Sequence, residues 1–428
     1  MYVVLAIIAF GLLIAVHELG HFTAAKLLGV KVYEFAIGMG PKILKKKGKE
    51  TVYSLRLLPF GGFCAMDEDT ASDDPRAFSS QKRWRRVIIL AAGGFANLVV
   101  AVIIIIILVL GMNEFVGTTV AQYDSGFSAG ESGGLMVGDK ILSVDGERLY
   151  YSDDFFVFVQ LSKGNRVNLV IERNGEKLAL NNFQVQLNEY EISDIVDGFI
   201  PNEGEQKLMV GDMLLSINGI PFSSLEHMQN SDFEYADLVV RRDGETITID
   251  GFPLRRHEYI VDGEVEYRYG LSFTAHDAIK FNELNTSFGE RLKYVGYMTI
   301  NYVRLIRVSL AQLFSGNAGI SDLAGPVGIV GAMNEIGQSS PSVGAALANI
   351  SNFIAFIGVN IAVVNLLPIP AMDGGRILFL FINWAIEKIT RRKINPKYEG
   401  YIHTGALFLL VGLMVFILVN DIIRIAGG

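Results

Sequence analysis

Cysteine is nearly absent from this sequence, in which Cys64 is the single cysteine among 428 residues. No disulfide can therefore form within the chain. Any domain that lies outside the cytoplasm must be stabilised by its own hydrophobic core. A redox role for Cys64 is the weaker interpretation of this lone side chain.

Charged residues are also scarce, at 19% of the chain, whereas 50% of the residues are hydrophobic. This balance is too apolar for an ordinary soluble protein and too charged for a chain that lies wholly in a membrane. Four apolar runs have about the 20 residues that a helix needs to cross the hydrocarbon core: 2–28, 87–111, 344–367 and 402–423. No basic residue precedes the first run, which is atypical of a cleavable signal peptide. The sequence therefore predicts four membrane spans and a soluble part.

Positive charge is scarce between the second and third runs. Residues 112–280 contain 13 Lys and Arg against 29 Asp and Glu, a net charge of −16, whereas the whole chain carries −8, so the remainder sums to +8. Basic residues cluster between spans one and two and between spans three and four: Lys42, Lys45, Lys46, Lys47, Lys49, Lys82, Arg83, Arg85, Arg86, Lys388, Arg391, Arg392, Lys393 and Lys397. By the positive-inside rule both loops are cytoplasmic, and the N-terminus, the acidic middle and the C-terminus are extracytoplasmic. Nucleic-acid binding is the weaker interpretation of these runs, and no nucleic-acid partner is expected.

The first span contains the most informative residues, the HELGH sequence of His17, Glu18 and His21. A spacing of four places both imidazoles on one helical face, where they can share a metal ion. The glutamate beside the first histidine is the usual general base of an HExxH zinc hydrolase. Ionisable residues in a membrane span are costly, which favours a functional site over a chance match or two structural histidines. The other histidines lack ligand spacing and are expected to be structural or surface residues: His227, His257, His276 and His403.

The third span ends in a second candidate half-site, the sequence NLLPIPAMDGG at residues 365–375. Pro368 and Pro370 interrupt the helix, and a membrane tolerates such a break only where the backbone is buried in protein or lines a wet cavity. Asp373 is the candidate third ligand, because a site of two histidines and an aspartate leaves one position for water, as a catalytic zinc requires. The spacing alone also allows Asp373 to cap the helix that follows.

The acidic middle contains a repeat. Residues 135–146, LMVGDKILSVDG, recur 73 residues later as residues 208–219, LMVGDMLLSING. Each copy has a Gly-Asp turn, a short β-branched run and an Asp-Gly or Asn-Gly pair, which predicts a strand and a tight hairpin turn. The pattern resembles circularly permuted bacterial PDZ domains. Such a groove would bind an extended segment by β-augmentation, and a rigid steric filter that binds nothing is an equally open interpretation.

These residues together resemble the site-2 protease family of intramembrane zinc metalloproteases. The resemblance joins the HExxH of the first span to the Asn-x-x-Pro-x-Pro-x-hydrophobic-Asp-Gly of a later one, and it extends to residues 60–63, 91–97 and 323–326. The flanking repeat makes the chain similar to the bacterial branch that cleaves anti-sigma factors and remnant signal peptides.

The resemblance implies that Zn²⁺ is the cofactor and that Glu18 is the general base. The residues it implies for zinc binding are His17, His21 and Asp373, and those for substrate binding are Asn365, Pro368, Pro370, Gly61 and Gly62. A substrate helix must unwind to be cut, and the strand so exposed could pair with the edge formed by residues 51–66. The expected partners are single-pass membrane proteins of the anti-sigma factor or signal peptide type, together with lipid of the bacterial cytoplasmic (inner) membrane.

The expected fold is a multi-pass α-helical membrane protein with four transmembrane helices and inserted extracytoplasmic tandem PDZ-like α+β domains. The expected segments are 1–111 (spans one and two with a cytoplasmic β-hairpin loop), 117–190 and 191–255 (PDZ-like), 281–342 (an interfacial helix over 288–314 and a membrane-proximal segment) and 343–428 (spans three and four). The alternative is a non-catalytic PDZ membrane scaffold or pseudo-protease, which predicts a damaged metal site.

Overall fold

Long helices and β-sheets separate into two units of this chain. The computed structural model describes residues 1–66, 74–123, 134–162, 166–185, 188–195, 208–222, 228, 232–254, 256–261, 264–277, 279–315, 325–391 and 396–427. The membrane unit comprises Met1–Met112 and Ser287–Gly428, and the inserted unit comprises Asn113–Thr286. Some residues used in the predictions lie outside the described ones: His227, Leu323, Ala324, Arg392 and Lys393.

The membrane unit consists of long helices and one hairpin. Its described helices are α1 (Tyr2–Leu27), α2 (Arg83–Leu110), α4 (Phe288–Phe314), α5 (Pro326–Ser339), α6 (Val343–Leu366), α7 (Asp373–Thr390) and α8 (Pro396–Gly427), whereas α3 (Ser152–Leu161) belongs to the inserted unit. Among the described residues, four helices are long and apolar enough to cross a membrane, namely α1, α2, α6 and α8. The four predicted spans are therefore confirmed as apolar helices. The helices α1, α2 and α6 pack against one another.

The charged helix predicted over 288–314 is α4, which packs against α2 and α6. The Arg291 guanidinium donates to the carbonyl oxygens of Val109 and Leu110, at 2.5 and 3.2 Å. These carbonyls belong to the last turn of α2, beyond which the helix supplies no i to i−4 donor, and the Val109 carbonyl also accepts the backbone N–H of Met112 at 3.3 Å. The Tyr302 hydroxyl donates to Oδ1 of Asn352 in α6 at 2.5 Å. Polar groups thus attach α4 to two of the candidate spans.

The hairpin of the membrane unit joins β1 (Glu34–Lys47) to β2 (Val52–Ala65). Residues 34–37 pair on one side with residues 52–55 and on the other side with residues 62–65. The chain therefore folds back on itself, and residues 62–65 form an edge strand beside α1, against which β2 packs.

The described residues of the inserted unit form two six-stranded antiparallel sheets. The first has the order β16-β3-β4-β6-β7 with β5 beside β4, and the second has the order β12-β11-β9-β8-β15 with β10 beside β9. Their strands are β3 (Phe115–Tyr123), β4 (Lys140–Val144), β5 (Glu147–Arg148), β6 (Arg166–Arg173), β7 (Glu176–Gln184), β8 (Asn188–Ile195), β9 (Met213–Ile217), β10 (Ile220–Pro221), β11 (Ala236–Arg242), β12 (Glu245–Phe252), β15 (Leu271–Asp277) and β16 (Ile279–Leu284). A separate antiparallel pair consists of β13 (His257–Val261) and β14 (Glu264–Arg268).

The repeat places one buried aspartate immediately before a strand of each sheet, β4 in the first and β9 in the second. Asp139 and Asp212 are each 1% exposed. Each accepts two hydrogen bonds of 2.6–2.7 Å from one arginine, Arg173 in the first copy and Arg242 in the second. Each also accepts the backbone N–H three residues before it, which closes the Gly-Asp turn. Because a buried charge requires such a partner, the matching arginines are part of the repeat although they lie 34 and 30 residues downstream.

The hairpin turns that the sequence predicts are confirmed. Asp145, Asn174, Asn218 and Asp243 have φ between 47° and 52°, and a glycine follows each of them. Two successive residues with positive φ are the geometry of the type I′ turn, whose twist matches that of the flanking strands.

Strand pairing gives sheet boundaries that differ from the predicted segments 117–190 and 191–255. The strand β8 begins before residue 190 and pairs with β9 in the second sheet. The strand β15 extends the second sheet, and β16 extends the first. The segment predicted to begin at residue 281 therefore begins inside β16. The second sheet is therefore inserted between β7 and the last strand of the first. Local turn signals do not reveal such edge strands, because these join a sheet through partners far away in the sequence.

Candidate metal centre

The centre begins with two imidazoles on one face of α1. His17 and His21 have ring centroids 4.8 Å apart in an edge-to-face arrangement, and their Nε2 atoms are 3.2 Å apart. The helix runs without interruption from residue 2 to residue 27, which keeps the two side chains one turn apart.

Asp373 completes a cluster with these histidines. Its Oδ2 lies 3.2 Å from Nε2 of His17 and 3.3 Å from Nε2 of His21. The helix α6 ends at Leu366, and Asp373 is the first residue of α7, so the proline-containing segment between them carries the carboxylate to α1. The helix α7 has Met372 as its N-cap, and no side-chain hydrogen bond caps it. The alternative in which Asp373 caps this helix is therefore wrong.

The spacing of the three atoms fits a tetrahedral zinc ion. With zinc–ligand bonds of about 2.0–2.1 Å, two ligands of a tetrahedron lie roughly 3.3 Å apart. The three observed separations are 3.2, 3.2 and 3.3 Å. Oδ2 of Asp373 is buried without a hydrogen-bond donor, although it faces two imidazoles. Among the described residues, these three form the one group of histidine, cysteine and acidic side chains arranged to hold a metal.

The backbone of α2 orients one of the histidines. Nδ1 of His21 lies 2.8 Å from the carbonyl oxygen of Ile89. A carbonyl only accepts, so Nδ1 carries the proton and Nε2 presents its lone pair to the cluster. This arrangement, a ligand histidine held through its other ring nitrogen, is general in metal sites.

A glycine in α2 makes room for both rings. A Cβ added at Gly93 would collide with Nε2 of His21 and would lie 2.7 Å from Cε1 of His17. Real Cβ atoms do not approach other atoms so closely, so any side chain at this position would displace the imidazoles. The close approach of α2 to α1 thus forms one wall of the centre.

The edge strand of β2 positions Glu18. The backbone N–H of Cys64 hydrogen-bonds to the Glu18 carboxylate. A Cβ added at Gly62 would lie 3.1 Å from Cγ of Glu18, so the strand backbone passes directly beside this side chain. Glu18 therefore lies between the cluster and residues 62–65.

The carboxylate of Glu34 ties the segments of the hairpin together. It accepts hydrogen bonds from Ser54 at 2.7 Å, Lys42 at 2.9 Å and Arg56 at 2.9 Å. Burial acts to raise the pKa of Glu34, but these three donors outweigh it and lower the pKa to about 2. The hairpin bonds to Glu34 are therefore complete at neutral pH and weaken only as the pH falls from about 4.5 towards 2.

A cavity of about 380 Å³ opens onto the cluster. Of the residues predicted to bind substrate, Asn365 lines this cavity. Gly62 lies beside Glu18, and Gly61 precedes it in β2. Pro368 and Pro370 lie in the broken segment, in which Ala371 and Met372 line the cavity. Further lining residues are Phe63, Cys64, Ala65 and Met66, which belong to the predicted edge over residues 51–66. The sequence predictions missed Leu90 and Arg376, which no motif singles out.

Comparison with known proteins identifies the family. Residues 5–413 match the model of peptidase family M50. The chain belongs to peptidase family M50. A zinc metalloprotease by name from Clostridium perfringens is 33% identical over 99% of both chains. One from Clostridium acetobutylicum is 30% identical over 98% of this chain and 97% of its own. The regulator of sigma-W protease RasP from Bacillus subtilis is 30% identical over 99% and 98%.

This M50 protein is therefore a zinc-dependent metalloprotease of the site-2 type. Its four apolar helices make it a multi-pass membrane protein. The predicted family, enzyme class and cofactor are confirmed.

Replacing Gly93 with alanine should weaken zinc binding, because the new methyl group must push at least one imidazole out of the cluster. Displacing a metal-site geometry typically costs about 10- to 100-fold in affinity. Titration of the purified protein with a chelator would measure this loss. Gly405→Ala in α8 is the matched control, since its Cβ meets nothing within 4 Å. Wild-type zinc affinity in the Gly93 variant would show that α2 does not form this wall.

Proposed function

We propose that His17, His21 and Asp373 are the zinc ligands of this M50 protease and that Glu18 is its general base. The observation that carries the proposal is the convergence of three ligand atoms within 3.3 Å of one another. Zinc, when bound there, supplies Lewis-acid polarisation of a peptide carbonyl and acidifies a water. Glu18 takes a proton from the attacking water and passes it to the leaving amine.

The substrate is a helix that must unwind, since its carbonyl groups are otherwise held in i to i−4 hydrogen bonds. The edge strand 62–65 supports this proposal, because among the described residues it pairs on one side with residues 34–37, and an extended peptide beside Glu18 could add to its other side. The small residues Gly61 and Gly62 allow the two backbones to approach closely. Asn365, which lines the same cavity, holds the substrate backbone, and Pro368 and Pro370 keep the segment after α6 non-helical.

The substrates are single-pass membrane proteins, either anti-sigma factors or remnant signal peptides, which the enzyme meets within the lipid of the bacterial cytoplasmic membrane. A relative that is 30% identical over nearly its whole length is named a regulator of sigma-W protease, which supports the first class. The basic residues between spans one and two and between spans three and four support cytoplasmic loops on the side where His21 and Asp373 lie. The N-terminus, the inserted unit and the C-terminus are then extracytoplasmic.

The inserted unit restricts access and takes no part in the chemistry. Its two sheets, each with a buried Asp-Arg pair, support a tandem of PDZ-like domains. Each copy either adds a peptide strand to a sheet edge or acts as a steric filter. A non-catalytic scaffold would need no convergent ligand cluster, so the protease is the better interpretation.

Glu18→Gln is expected to retain zinc and to abolish cleavage, because the amide preserves the shape of the side chain but cannot accept the proton. Loss of a general base commonly costs about 10²- to 10⁴-fold in rate. Cleavage of a reporter membrane segment by purified protein would measure the rate, and metal analysis the zinc content. Glu335→Gln, the same change at an exposed position of α5, is the control. Normal cleavage by Glu18→Gln would refute the assignment of Glu18 as the general base. Full zinc content in Asp373→Ala would refute the assignment of Asp373 as a ligand.

Replacing residues 114–285 by a short linker should leave a membrane unit that still cuts. A short linker can join the two ends that this deletion leaves, because Arg291 near one of them donates to the Val109 carbonyl near the other. Full-length substrates should then be cut with less selectivity between competing reporters. Loss of activity on an already shortened substrate, in a linker protein shown to bind zinc, would assign the inserted unit a part in the chemistry.

Cysteine labelling in intact cells tests the orientation. In a Cys64→Ala background, Lys49→Cys and Ile389→Cys should react only with a membrane-permeant thiol reagent, because both exposed positions lie in the basic loops. The Tyr235 side chain is 65% exposed, so Tyr235→Cys should react with an impermeant reagent as well. The reverse pattern would invert the proposed topology.

A further inference from the structure

The broken segment between α6 and α7 satisfies its backbone donors in an unusual way. Leu367, Ile369 and Met372 donate their N–H groups to backbone carbonyls at 2.7–3.1 Å. Proline at positions 368 and 370 has no N–H to satisfy. The remaining donor, that of Ala371, reaches Nδ1 of His403 at 2.9 Å. One side chain from α8 thus provides the acceptor for the last N–H group of this segment.

Ala371 is also the strained residue of the segment. Its φ is +75°, in the left-handed region that a residue with a Cβ seldom adopts. Such a conformation persists only where the surrounding structure determines it. Ala371 lies two residues before Asp373, so its backbone conformation sets the direction in which the chain enters the first turn of α7.

His403 is itself held in place on α8. Its ring packs edge-to-face on Phe379 of α7, with centroids 5.1 Å apart. Because Nδ1 accepts a hydrogen bond from a backbone N–H, it carries no proton, and the ring is the neutral tautomer with its proton on Nε2. Nε2 lies 3.9 Å from Oε1 of Glu399, whose other oxygen accepts a 2.9 Å hydrogen bond from Asn383. Polar contacts thus connect α8, α7 and the strained peptide.

We propose that His403 is a positioning residue, which fixes the peptide of Ala371 and thereby holds the Asp373 carboxylate against His17 and His21. It acts through the backbone and does not contact the reacting atoms. This inference rests on the proposed role of Asp373 as a zinc ligand. It assigns to the last membrane helix a contribution to the metal centre.

A pair of amide substitutions tests the proposal at one atom. In His403→Asn, Oδ1 can occupy the position of Nδ1 and accept the Ala371 N–H, whereas in His403→Gln the amide reaches the position of Nε2 instead. The expected zinc dissociation constant, measured by chelator competition on the purified full chain, rises about 10- to 100-fold in the Gln variant. In the Asn variant it stays within about threefold of wild type. The Gln variant should also lose kcat with KM unchanged.

Asp421→Ala provides the matched structural control on the same helix. Oδ2 of Asp421 accepts the N–H groups of Gly325 and Gly328 at 3.1 and 2.9 Å, so this variant loosens α8 about 27 Å from His403. The proposal requires that Asp421→Ala lowers the melting temperature without changing zinc affinity. Equal zinc affinity in His403→Asn, His403→Gln and the wild-type protein overturns the proposal. An equal loss of zinc affinity in His403→Asn, His403→Gln and Asp421→Ala also overturns it. Asp373→Ala separates the two hypotheses: if that variant keeps zinc, the proposed ligand set fails, and if it loses zinc while His403→Gln does not, only the positioning role fails.

Discussion

The membrane unit depends on bringing three polar atoms within 3.3 Å of one another in an apolar protein. Two imidazoles and a carboxylate at this distance are costly to bury unless a cation joins them. Each neighbouring element meets one requirement of that arrangement. The regular helix α1 supplies the histidine spacing, α2 approaches through Gly93, and the break after α6 delivers Asp373. The metal centre therefore forms only when all three elements adopt these conformations.

The break after α6 shows how the same apolar setting constrains the backbone. An unpaired N–H in hydrocarbon costs several kcal/mol, so irregular backbone is tolerated only when each donor finds an acceptor. The loop meets this condition with two prolines, which have no donor, and with local turns. Ala371, whose φ is left-handed, is the residue of this loop whose N–H bonds to an acceptor outside the loop. A membrane helix next to the loop can supply an acceptor only as a polar side chain.

Sequence patterns predicted those features that depend on local spacing. The apolar runs gave the four spans to within a few residues, HExxH gave the two histidines, and the Asn-Gly and Asp-Gly pairs gave the turns. Partners distant in the chain were not predictable in the same way. The link from His403 to Ala371 spans 32 residues and involves a backbone group, which has no signature in the sequence. The edge strands β15 and β16 likewise join sheets through pairing that no local pattern encodes.

The insertion of a large soluble unit into a membrane unit requires that each unit keep its two connections close together. Within the inserted unit, Phe115 of β3 pairs with Leu284 of β16, so its first and last strands are neighbours in one sheet. Within the membrane unit, Arg291 at the start of α4 donates to the Val109 carbonyl at the end of α2. Contacts within each unit thus bring its own two connection points together. The second repeat follows the same logic inside the first, because β8 and β15 are also adjacent strands. The second sheet is inserted into the first, and both are inserted into the membrane unit, without interrupting the hydrophobic core of any of them. Acidic sheets and apolar helices can therefore coexist in one chain.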